Sequence, residues 1–270
     1  MKILTLLCCL VFSFFSCKKK KVQAEAQRQY DVFLIAGQSN TLNGIGLIPE
    51  IDSFSAGIFQ LGRYQTNNFK LLDATDPLEH WDKRAGKIGF GLTFAKFYKD
   101  SFLNPSRHIL LIPCGKGSSG FISNDWNKGN PYYEDAVNRV NYVMTHYPCS
   151  EFKAILWHQG EHDVNNINFQ KQLDQMVLDL RMDIDDWQSP QIFILGGMVP
   201  YWVAKDSIRA RQQHLMSTIA DRLPYTGFAD PTSPFIISKP DNEMDQNHYD
   251  AEGQRELGRR YFREYVKLRK

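Results

Sequence analysis

The chain has 270 residues, of which 43% are hydrophobic and 13% aromatic. That is enough apolar material for one large α/β core, and it excludes a disordered chain. Lys and Arg (32) nearly balance Asp and Glu (30), for a formal charge of +2. The two signs are well mixed, which gives no sign of a nucleic-acid groove, and no internal repeat or low-complexity tract is visible.

Met1-Lys2 precedes an apolar run, Ile3 to Phe15, which is followed by Ser16-Cys17 and by Lys18 to Lys21. Such a run is too short to span a bilayer comfortably and has the form of a signal-peptide core. The small residue before Cys17 resembles the end of a bacterial lipoprotein signal. On that reading residues 1–17 are the signal segment, Cys17 carries lipid, and the protein is exported and held at the membrane. A plain secretory signal is the alternative. Residues 18–28 read as a polar tether. No Pro/Gly-rich linker divides the rest, so residues 29–270 are expected to form a single domain.

The first element, Asp31 to Asn40, reads DVFLIAGQSN: a buried-strand pattern that ends abruptly in Gly37-Gln38-Ser39-Asn40. Asn43 to Lys87 hold little periodicity and are expected to form loops beside the site. Gly89 to Phe102 places Leu92, Phe94, Ala95, Phe97 and Tyr98 at helical spacing. A strand follows at His108–Pro113, a helix at Tyr132–Tyr147 and a strand at Ala154–His158. Phe169 to Trp187 puts Leu173, Met176, Val177, Leu180 and Ile184 on one helix face. Further strands are expected at Gln191–Met198 and Gly227–Ala229, and further helices at Ser207–Leu223 and Ala251–Leu268. Alternating strands and helices imply an α/β fold with a mainly parallel sheet covered on both faces.

Cys8, Cys9 and Cys17 belong to the N-terminal segment, leaving Cys114 and Cys149 for the fold. If their strands are parallel neighbours, these two lie at opposite ends, roughly 15 Å apart. No disulfide spans that distance, so two free, buried thiols are expected.

In a parallel sheet the loops after three of these strands emerge on one edge, where α/β sheets build their sites. The first carries Ser39, a candidate nucleophile, although Ser and Asn are also ordinary turn residues. The second is Cys114-Gly115-Lys116-Gly117-Ser118-Ser119-Gly120, followed by Trp126. It lacks the spacing of a phosphate-binding loop. The third is Trp157-His158-Gln159-Gly160-Glu161-His162-Asp163. Its side chains alternate in direction, which disfavours a metal site. Far downstream, Asp245 and His248 supply an acid and a base at a spacing that suits a loop entering a helix. Together they provide what acyl transfer needs: Ser39 as nucleophile, His248 as base and Asp245 to hold its ring. Glu161 is a supporting or alternative acid. Backbone N–H groups of Ser39 and of the turn at Gly117, with the Gln159 amide, are candidate oxyanion donors. Asn40, Arg63, Tyr64, Phe121, Trp126, His158 and Trp202 are candidates for substrate contact, Trp126 being as readily core as sugar platform. His80, His108, His146 and His214 have no motif context and read as structural or solvated.

The Gln-Ser-Asn turn at 38–40, the Gly117-Ser118-Ser119 turn with Trp126 after it, the Gln-Gly-Glu-x-Asp segment at 159–163 and Asp245-x-x-His248 resemble the SGNH-hydrolase superfamily. The nearest group is the sialate O-acetylesterase-like one, which includes carbohydrate esterase family six acetyl xylan esterases. The resemblance implies a three-layer α/β/α, flavodoxin-like fold and removal of acetyl groups from sugars without metal or other cofactor. It implies Ser39, His248 and Asp245 in the roles above, with oxyanion donors at Ser39, the Gly117 turn and Gln159. The implied partner is an acetylated carbohydrate, either an O-acetylated sialic acid or a plant polysaccharide such as xylan, with no obligate protein partner. A lipase or thioesterase on the same core, or an inactive glycan-binding surface lipoprotein, are the competing readings.

Overall fold

A computed structural model describes residues 28–82, 84–184, 192–238 and 245–269. The expected signal, lipidation site and most of the tether, residues 1–27, therefore lie outside the described residues.

The strands are β1 (Tyr30–Gly37), β2 (Gly44–Ile45), β3 (Ile58–Leu61), β4 (Leu71–Asp73), β5 (Lys87–Ile88), β6 (His108–Pro113), β7 (Glu151–His158), β8 (Ile192–Gly196) and β9 (Thr226–Ala229). The longer helices are α1 (Gly91–Phe102), α2 (Pro131–His146), α3 (Phe169–Asp183), α4 (Ser207–Ser217) and α5 (Ala251–Leu268). Seven strands form the main sheet in the order β4-β3-β6-β1-β7-β8-β9. Only the β3–β4 pair is antiparallel; the others run parallel. Within it, β6-β1-β7-β8-β9 has the 2-1-3-4-5 order of a doubly wound sheet, with β1 at the switch point.

β1 is buried along all eight residues, as a central strand covered on both faces must be. Its period of two sends Tyr30, Val32, Leu34 and Ala36 into one core and Phe33 and Ile35 into the other. The first core is closed by α2 and α3 through Val137, Val140, Leu173 and Val177. The second is closed by α1 and α5 through Phe94, Tyr98, Leu257 and Tyr261. The result is the expected three-layer α/β/α architecture.

Three expectations change. The segment Asn43–Lys87 is not only loop. It extends the sheet by β3 and β4 and adds the small ribbon β2–β5. The helix after Ser207 ends at Ser217 and gives way to a single 3-10 turn, Ile219–Asp221. Cys114 and Cys149 are both free, as expected, but only Cys114 is buried; Cys149 is exposed in the turn that precedes β7.

Candidate active site

β1 ends at Gly37, with φ +118°, and the chain turns sharply there. A Cβ at Gly37 would lie 2.2 Å from the His158 carbonyl oxygen, so only glycine lets β1 and β7 approach so closely. That carbonyl accepts the Gln38 N–H at 2.8 Å. The Gln38 side chain reaches across to accept the N–H groups of His162 and Gly160. The turn after β1 and the loop after β7 are thereby locked together, and Ser39 opens a 3-10 turn on top of them.

Ser39 does not spend its hydroxyl on capping that turn. His248 Nε2 lies 2.8 Å from Ser39 Oγ, and His248 Nδ1 lies 2.7 Å from Asp245 Oδ1. With the Nδ1 proton donated to Asp245, Nε2 is the acceptor for the serine hydroxyl. Just beyond, the Asp250 side chain caps α5 by accepting the Gly253 N–H at 2.8 Å, which fixes where the His248 loop enters the helix.

Asn40 binds the pieces together and does not face substrate. It is fully buried. Its Nδ2 donates to Glu161 Oε1 at 2.6 Å and to the Asn247 carbonyl at 2.8 Å. Its Oδ1 accepts the Tyr249 N–H at 3.0 Å, so both neighbours of His248 are held by one side chain. Glu161 lies 3.5 Å from His158 Nε2, not beside His248. Burial pushes the Glu161 carboxyl up, but His158 and Asn40 outweigh it and hold it below its ordinary value.

The glycine loop differs from expectation at its donors. The Gly117 N–H points at Asp82 Oδ2, 2.8 Å away, and Asp82 also pairs with Lys116 at 3.1 Å. The Gln159 amide donates to Asp163. Asp163 is a buried carboxylate that also accepts the N–H groups of Phe121 and Ile122, each at 2.8 Å, and the Asn166 amide at 2.9 Å. The Gly117 N–H therefore already serves a carboxylate in this arrangement, whereas Asp163 takes one of the two N–H groups of the Gln159 amide and leaves the other. Among the described residues, the Ser39 N–H has no acceptor.

The family model for "Carbohydrate esterase, sialic acid-specific acetylesterase" matches residues 29–267. The chain belongs to this family. Among curated proteins, a probable carbohydrate esterase of Arabidopsis thaliana is 28% identical over 176 residues, which span 57% of this chain and 64% of that protein. Among solved structures, NanS shares the fold with a TM-score of 0.75 at 17% identity, covering 90% of this chain and 98% of that one. An Arabidopsis thaliana protein of known structure has a TM-score of 0.71 at 20% identity, covering 88% and 98% of the two chains.

Several residues expected at the cleft wall of this family member are instead structural. Arg63 is buried and spends Nη2 on Asp135 at 2.8 Å and on the Pro113 carbonyl at 3.0 Å. His158 is enclosed by Tyr261, Tyr249, Phe90 and Glu161. Trp126 is core: its ring packs on Trp157 at 4.9 Å and its Nε1 donates to Ser119 Oγ at 2.8 Å. Phe121 is buried against Trp157 and Phe169. Trp202 is half-buried under the Arg209 guanidinium. Tyr64 stays at the surface of a cleft with Trp81, Asp82 and Arg84. Those last three, from the segment expected to be plain loop, carried no motif. Their only sequence signal was an aromatic–acid–base run in a segment placed beside the site. His80 is structural, as expected: its Nδ1 accepts the Gly115 N–H at 2.9 Å. Burial, then the nearby Arg63, depresses it to about 3, so its ring stays neutral and keeps that acceptor.

Proposed function

We propose that the protein is a serine esterase that removes O-acetyl groups from carbohydrates through an acetyl-Ser39 intermediate. The observation that carries this reading is the unbroken relay Asp245–His248–Ser39, with links of 2.7 and 2.8 Å. Ser39 Oγ attacks the acetyl carbonyl as its proton passes to His248 Nε2, and Asp245 stabilises the imidazolium that forms. The Ser39 N–H meets the developing oxyanion; one such donor is worth about 3 kcal/mol of barrier. Collapse of the tetrahedral intermediate expels the sugar alkoxide, which takes the proton back from His248. Water then cleaves the acetyl-enzyme by the same steps in reverse, releasing acetate. No step calls on a cofactor.

The acetylated carbohydrate is an O-acetyl sialic acid or an acetylated plant polysaccharide. The leader-like N-terminus, residues 1–17, supports export and anchoring through lipid on Cys17.

The test is acetate release by the purified protein and by Ser39→Ala from O-acetyl sialic acid, acetylated xylan and a long-chain ester. Acetate from a sugar substrate, lost by at least about 10³-fold in Ser39→Ala, is expected. Hydrolysis of the long-chain ester alone would replace this reading with a lipase. Retained sugar binding without hydrolysis would replace it with a glycan-binding protein.

A further inference from the structure

Among the described residues beside Ser39, one cation, Arg84, is left over. A side-chain carbon placed on Gly117 would lie 4.0 Å from Ser39 Cβ, 2.9 Å from Asp82 Oδ2 and 3.4 Å from Arg84 Nη2. Arg84 thus reaches to the same point over the glycine loop that the nucleophile borders. Its placement is built. The stretch before it is tied to the loop by Gly115 N–H to His80 Nδ1 at 2.9 Å and by Trp81 N–H to the Gly115 carbonyl at 3.0 Å. The Gly117 N–H to Asp82 bond is the third tie. After it, the Lys87 N–H closes a turn onto the Arg84 carbonyl at 3.2 Å.

Among the described residues the charges there do not cancel. Lys116 and Asp82 neutralise one another at 3.1 Å. Among the described residues, Arg84 has no carboxylate, hydrogen-bond acceptor or ring partner. Arg84 and Asp82 line, with Tyr64 and Trp81, an open cleft of about 520 Å³. An unpaired guanidinium beside aromatic walls fits a ligand that brings its own carboxylate on an apolar-faced ring.

Resting on the esterase reading above, we propose that Arg84 is the specificity-determining residue of this site. It receives a carboxylate carried by the acetylated sugar, so the substrate is an acidic sugar and not a neutral polysaccharide. The contact orients the sugar so that its acetyl ester meets Ser39. Tyr64 and Trp81 hold the ring's flanks.

The test compares kcat/KM for acetate release from O-acetylated N-acetylneuraminic acid and from its carboxyl methyl ester, which keeps the acetyl group and removes the charge. Wild type is expected to prefer the free acid by about tenfold or more, mostly in KM. That preference should shrink as salt rises, since the pair is solvent-accessible. In Arg84→Ala the ratio of acid to methyl ester should fall to near one, and Arg84→Lys should keep part of it. A wild-type ratio near one, or one unchanged in Arg84→Ala, would overturn the assignment to Arg84 alone. The wild-type ratio and its salt dependence require no variant to fold. Acetate from acetylated xylan but from neither of these compounds would overturn this inference and leave the esterase reading standing; acetate from none of the three, with the protein folded, would overturn both.

Discussion

Asp245 and Glu161 are both carboxylates near a histidine, yet they face different histidines. Asp245 touches His248 at 2.7 Å, at the rim. Glu161 lies at 3.5 Å from His158, in the interior, and takes the Asn40 amide at 2.6 Å. Their substitutions should therefore fail in different ways. Asp245→Asn is expected to lower kcat by about 10³–10⁴-fold by presenting the wrong tautomer at His248, with the melting temperature nearly unchanged. Glu161→Gln is expected to cost about 1–3 kcal/mol at pH 7, because it weakens a buried acceptor. The Glu161 carboxyl is held below its ordinary value in the fold, so its contribution is present above about pH 4.5 and is lost as pH falls through the folded value. Melts at pH 7 and pH 4 should show the Gln variant closing on wild type in acid. An equal kcat loss in both variants would contradict this division of roles. The D-x-x-H spacing made the Asp245–His248 pair readable in the sequence. The direction of Arg63, His158 and Trp126 was not readable, because residue type does not say whether a side chain turns inward. For Arg63 the answer lay with Asp135, far along the chain.

At the scale of elements, legibility follows length. β1, β6, β7 and β8 are continuous apolar runs and α1, α2, α3 and α5 carry full helical faces, so each stands out by periodicity. β2, β3, β4 and β5 have two to four residues each, too few for a period to register; β9, with four, was expected as the run Gly227–Ala229. β3 and β4 form because the edge of β6 offers open N–H and C=O groups that β3 satisfies in parallel and β4 then extends, whereas β2 and β5 pair with each other in a separate ribbon. That is a tertiary decision, and it carries His80, Asp82 and Arg84 to the nucleophile. The sharpest local demand is the end of β1. Gly37 combines φ +118° with a carbonyl 2.2 Å from where a Cβ would go. Gly37→Ala must push β1 and β7 apart and move Ser39 with them. We expect a loss of more than about 4 kcal/mol, seen as insoluble expression or a large fall in melting temperature. A well-folded, active Gly37→Ala protein would show that the turn adapts, and would remove the geometric basis for placing Ser39 by the β1–β7 contact.

Across the whole molecule, the segment that carries Arg84 is joined to the helix that follows His248 by one buried charge centre. Arg255 of α5 grips Asp52 at 2.6 and 3.0 Å, and Asp76 lies close by, its N–H on the Asp52 carbonyl at 3.2 Å and its Oδ1 3.4 Å from the Gly89 N–H. Burial, reinforced by the repulsion of Asp52, raises the Asp76 carboxyl to about 7, against the pull of the Gly89 N–H and Lys96. A carboxyl whose folded value lies above its ordinary one binds a proton more tightly in the fold than in the open chain. Its contribution is therefore complete below about pH 4 and disappears as pH rises through about 7. Asp52, held below its ordinary value, acts the other way and is lost in acid. The junction between the two halves of the site is thus loosened by alkali through Asp76 and by acid through Asp52. Asp76→Asn keeps an acceptor for the Gly89 N–H and removes the buried charge. It should stabilise the protein at pH 8 by about 2–4 kcal/mol, worth several degrees in melting temperature, with the gain vanishing toward pH 4. Denaturant unfolding of both proteins from pH 4 to pH 8 measures this directly. A constant difference across that range would mean that Asp76 keeps one protonation state throughout, and that the alkaline loosening of the junction has another source.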